Sequence, residues 1–68
     1  MNDDAITMGI RKFLKQVGVS SHQEIEKALE QAKLAGKLEG KNTITATMRL
    51  EVPDLDLVHI VESEIPLS

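Results

Sequence analysis

The sequence predicts a single small α+β domain in the order α-α-β-β, a two-helix corner packed on one face of an antiparallel β-hairpin. Three observations predict it. Apolar residues recur at helical spacing through the first half of the chain. A glycine followed by two serines interrupts that half near residue 18. Beyond residue 42 the apolar period changes from about 3.6 to 2.

The first helix is read over residues 3–17. Asn2 or Asp3 can cap it, and Asp3 and Asp4 place negative charge at the positive end of the helix dipole. Ile6, Ile10, Phe13, Leu14 and Val17 share one face, while Arg11, Lys12 and Lys15 lie on the polar side. Gly9 inside this run weakens the helix by up to about 1 kcal/mol relative to alanine. Gly18 supplies the residue that most readily takes the left-handed conformation at a helix end.

The second helix is read over residues 21–35. Ser20 precedes Gln23 and Ser21 precedes Glu24 by three positions, so either serine can open a capping box. Ile25, Ala28, Leu29 and Ala32 form its apolar stripe, and Gly36 stops it. On this reading Gly18-Val19-Ser20 is a tight corner, with Val19 turned inward as an apolar plug.

Leu38 to Asn42 form the linker, with the glycine and asparagine that turns favour. Residues 43–52 then alternate without a fault: Ile44, Ala46, Met48, Leu50 and Val52 on one side, three threonines, Arg49 and Glu51 on the other. Pro53 to Asp56 make a turn, and residues 57–65 make the second strand. Its inward set is Leu57, His59, Val61, Ser63 and Ile65, because Glu62 and Glu64 must face water. That phase leaves Val58 and Ile60 outward. An isolated hairpin is marginal in water, so the helices are expected to cover its apolar face. The expected core is Phe13, Leu14, Val17, Ile25, Leu29 and Leu38 with Ile44, Met48, Leu50, Val61 and Ile65.

Composition excludes many functions. The chain has 68 residues, 41% hydrophobic and 28% charged, which fits one folded domain rather than a disordered tail. It contains no cysteine, so disulfides, thiolate metal sites and cysteine nucleophiles are excluded. No apolar run is long enough to span a bilayer, and the acidic start MNDD does not resemble a secretion signal, so a cytoplasmic protein without a membrane association is expected. Net charge is −3, all of it from residues 41–68. Phe13 is the only aromatic residue. Nucleic-acid binding needs cations for phosphates and, on single strands, aromatic platforms for bases, so it is disfavoured.

Candidate chemistry is thin. His22 and Glu26 sit four apart on a helix, but a zinc site takes three or four protein ligands. Asp54, Asp56, Glu62 and Glu64 are read as solvated charges that keep the hairpin edge from pairing with other chains. No nucleophile triad, phosphate loop or dinucleotide motif can be drawn, so no catalytic residue, metal site or cofactor is expected. His59 is the one residue to watch. Its phase places an imidazole among apolar neighbours, where burial would disfavour the charged form. The candidate interaction surface is Val58 and Ile60 together with the basic cluster Arg11, Lys12 and Lys15.

The stretch from Ile10 to Ala28, with its IRKFLK, VGV and EIE segments, resembles a family of short bacterial proteins of unknown function. The Gly36-Lys37-Leu38-Glu39-Gly40 linker and the run from Leu57 to Ile65 extend the likeness over nearly the whole chain. That resemblance implies no activity, cofactor or ligand. Helix, glycine-containing turn, helix and hairpin also look like the later part of a winged helix-turn-helix domain. This second likeness implies DNA reading by residues 22–35, where Glu24, Glu26 and Glu30 oppose phosphate. The expected function is therefore a small non-catalytic protein-interaction module. Its protein partner is unknown, and it is a monomer or a weak homodimer through the hairpin edge. A nucleic-acid-binding winged-helix-like domain is the alternative.

Overall fold

The computed structural model describes residues 1–68, and its element order is α-β-β. One helix, α1, runs from Asp3 to Leu34. The strands β1, Thr43–Val52, and β2, Leu57–Pro66, pair antiparallel into a two-stranded sheet. The chain divides into two compact units, Met1–Leu38 and Glu39–Ser68.

The two-helix corner is corrected by this structure. Residues 3–17 and 21–35 belong to one helix that passes through Gly18-Val19-Ser20 without a break. Gly18 keeps a negative φ; only Gly36 and Gly40 among the glycines have positive values. Ser20 does not cap a new helix. Its hydroxyl donates to the Gln16 carbonyl at 2.8 Å, the bond a serine makes inside a helix. A glycine in a helix interior costs about 1 kcal/mol, less than breaking and restarting the backbone ladder with its orphaned groups. Val19 consequently points away from the apolar stripe and is 53% exposed, not a buried plug. The turn that a helix-turn-helix requires is absent.

Both ends of α1 are built by local chemistry. The Asn2 side-chain oxygen accepts from the Ala5 amide at 3.1 Å, with Asp3 and Asp4 in the first turn. At the other end Ala35 is the last cap residue and Gly36 turns left-handed at φ 73°. The Lys37 amide donates to the Ala32 carbonyl at 2.9 Å and the Gly36 amide to the Lys33 carbonyl at 3.2 Å. Those two bonds are the paired closure of a Schellman motif.

The hairpin is equally regular. Pro53–Leu55 form one turn of 3-10 helix, and Asp56, at φ 49°, takes the left-handed conformation that returns the chain into β2. Asparagine and aspartate tolerate that conformation better than most residues. At the open end the Leu67 amide donates to the Asn42 carbonyl at 2.8 Å. The register pairs Ile44 with Ile65, Met48 with Val61, Leu50 with His59 and Val52 with Leu57. Directly opposed residues of an antiparallel pair share a face, so these form the apolar side of the ribbon.

The expected core does not exist as a buried interior. No residue of the chain is buried. Val17, Leu29, Leu38, Ile44, Leu50 and Ile65 are half-covered, whereas Phe13, Leu14, Ile25, Met48 and Val61 are exposed. A single helix covers its own side chains only along neighbouring turns, and a two-stranded ribbon covers them only across one pair of strands. Neither encloses a side chain by itself.

Candidate functional site

The hairpin and the helix each present a surface. On β2, Val58 and Ile60 are both 54% exposed and lie opposite Glu51 and Arg49. The same face continues through Thr47, whose hydroxyl reaches the Glu62 carboxylate at 3.5 Å, and through the Thr45–Glu64 pair. Arg49 and Glu51, two apart on β1, are ion-paired with each other. The result is an apolar pair framed by a neutralised arginine and glutamate, with acidic residues beyond.

The opposite face holds Met48, Leu57 and Val61, all more than a third exposed. His59 lies on this side, across from Leu50, at the position its strand phase indicates. Its side chain is nonetheless exposed. The enclosure expected around its imidazole is not formed, because nothing within a two-stranded ribbon lies above the ring.

On α1 the apolar stripe is continuous from Ile6 through Ile10, Phe13 and Val17, across Ser21, to Ile25, Ala28 and Ala32. Ile6, Ile10, Phe13, Leu14 and Ile25 are exposed along it. Arg11, Lys12 and Lys15 are exposed as well and form no salt bridge. They lie on the helical unit, whereas Val58 and Ile60 lie on the hairpin unit. The sequence reading missed the length of the stripe. Its signal was there: Val17, Ser21 and Ile25 keep a four-residue step through the apparent corner.

His22 Nε2 and Glu26 Oε1 are 2.8 Å apart on an exposed side of α1, beside Val19 and Gln23. No third histidine or carboxylate joins them, and no group of three such residues is gathered elsewhere. An exposed i,i+4 pair of this kind stabilises a helix by a few tenths of a kcal/mol. No helix is long and apolar enough to cross a membrane; α1 has the length but carries charges throughout.

The chain belongs to a family of unknown function, DUF6494, whose family model matches residues 1–68. No curated protein and no solved structure matches the chain.

Proposed function

We propose that the chain, as a member of this family, is a non-catalytic protein-interaction module whose apolar faces are covered by protein. The observation that supports this reading most is the absence of any buried residue alongside large apolar side chains exposed on both units. Burial of apolar surface is the dominant favourable term in folding and in most protein association. A chain that leaves this surface open gains that term by binding. The face around Val58 and Ile60 has the layout of a small contact patch, apolar at its centre and charged at its rim. An acidic hairpin and a single aromatic residue argue against a polyanion as partner.

Photo-crosslinking in the native cell extract tests the proposal. A benzophenone amino acid at position 60, and separately at position 13, is expected to give discrete protein adducts that unlabelled chain suppresses. Competition with the V58S/I60S chain should leave the adduct at position 60 in place. Absence of protein adducts at both positions would contradict the interaction reading.

A further inference from the structure

Eight positions of the stripe on α1 are spaced the same from either end. Starting at Ile6 and ending at Ala32, the intervals between its residues are four, three, four, four, four, three and four. The centre of this palindrome is Val19, which itself points to the other side of the helix. Over these seven steps the stripe averages about 3.7 residues per turn, near the 3.67 of an 11-residue repeat, so it drifts slowly around a straight helix and two copies keep it buried by winding with a right-handed supercoil. Spacing that is symmetric under reversal of chain direction brings each of these positions level with another of them in an antiparallel copy.

From this we infer that α1 is the seam of an antiparallel homodimer, two copies crossing at Val19. The inference rests on the interaction reading above and names a second copy of this chain as the partner for the helix.

Side-chain size favours the antiparallel arrangement. About the Val19 centre, Ile6 meets Ala32 of the second copy and Ile10 meets its Ala28. Phe13 meets Ile25, and at the crossing Val17 meets Ser21. Three of these four pairs set a larger side chain against a small one and the fourth, Phe13 with Ile25, is bulky on both sides, so no level of the seam faces two alanines across a void. A parallel pair in register would crowd Ile6, Ile10 and Phe13 against themselves and leave a void between facing alanines at 28 and 32. Leu14 and Leu29 widen the stripe on one edge, and antiparallel pairing lays that edge against the same edge of the other copy.

Charge points the same way. Arg11, Lys12 and Lys15 make residues 11–15 basic, while Glu24, Glu26 and Glu30 outnumber Lys27 over residues 24–30. Antiparallel pairing sets the basic stretch of each copy level with the acidic stretch of the other. Parallel pairing sets like beside like. These side chains lie outside the seam, so the effect is modest and salt-sensitive.

Because the chain has no cysteine, single spin labels can be placed cleanly. Asp3→Cys and Ala35→Cys extend the stripe at its two ends without altering it. Sedimentation equilibrium should show a dimer. Dipolar spectroscopy should then find D3C labels far apart, on the order of 48 Å for 32 residues of helix. A mixture of D3C and A35C chains should add a short distance, below about 20 Å. A short D3C-to-D3C distance, or a monomer at every concentration, overturns the pairing. A monomer that still forms photo-adducts at positions 13 and 60 would overturn this inference alone and leave the interaction reading standing.

Discussion

The Ser20 hydroxyl donates to the Gln16 carbonyl one turn back, at 2.8 Å, and α1 continues past both residues. With Ser20 inside the helix, the glycine before it is an ordinary helical residue. A Cβ at Gly18 would meet nothing within 4 Å. Gly18→Ala is therefore expected to raise helix stability by up to about 1 kcal/mol. Gly36→Ala should do the opposite by about as much, because Gly36 holds a positive φ in the terminal closure. Thermal melts followed by far-ultraviolet circular dichroism check both signs. Destabilisation by Gly18→Ala would restore a corner at residue 18.

Phe13 is 49% exposed, so its truncation removes little from the isolated chain. As a central contact of the helix seam it should matter far more to association. Phe13→Ala is expected to weaken dimerisation by about tenfold or more, while helix content at a matched degree of association stays near that of the parent. Sedimentation equilibrium and circular dichroism on the same samples separate the two effects. An unchanged dimer would remove Phe13 from the seam.

Charge reversal tests direction. Arg11→Glu with Lys12→Glu should weaken the dimer a few-fold at low salt and hardly at all at high salt. Adding Glu24→Lys and Glu26→Lys to the same chain should recover the affinity, since each copy again meets opposite charge. A parallel pair would be indifferent to the first change, and failure of the second to rescue would count against the antiparallel arrangement.

Across the hairpin, Leu50 opposes His59 on the apolar side. A β-branched residue packs better than imidazole against leucine on a pleated surface. His59→Val is expected to stabilise the hairpin by a few tenths of a kcal/mol, seen as slower amide exchange in β1 and β2. Faster exchange would mean the imidazole makes a contact that valine cannot replace.

The hairpin was legible because its signals are redundant. Five apolar positions alternate from Ile44 to Val52, the Pro53-to-Asp56 turn is chemically plain, and Glu62 and Glu64 fix the phase of β2. The ends of α1 were legible for the same reason, through Asn2 and Gly36. Its middle was not. Gly18 and the Ser20-to-Gln23 spacing satisfy local rules for stopping and starting a helix, yet each rule carries only about 1 kcal/mol. The cooperative ladder outweighs them, and the unbroken step from Val17 to Ser21 to Ile25 was the stronger sign. The core was misread for a different reason. Periodicity identifies an apolar face but not whether its cover comes from the same chain, and the candidate pair Val58 and Ile60 was legible only as outward-facing.

Thermal unfolding of α1 across a hundredfold range of protein concentration is the most direct test of the symmetric seam. If two copies bury the stripe together, folding is coupled to association and the midpoint rises steadily with concentration, as mass action requires. A midpoint that stays fixed over the whole range would mean the helix is stable without a second copy, and the seam would have to be abandoned.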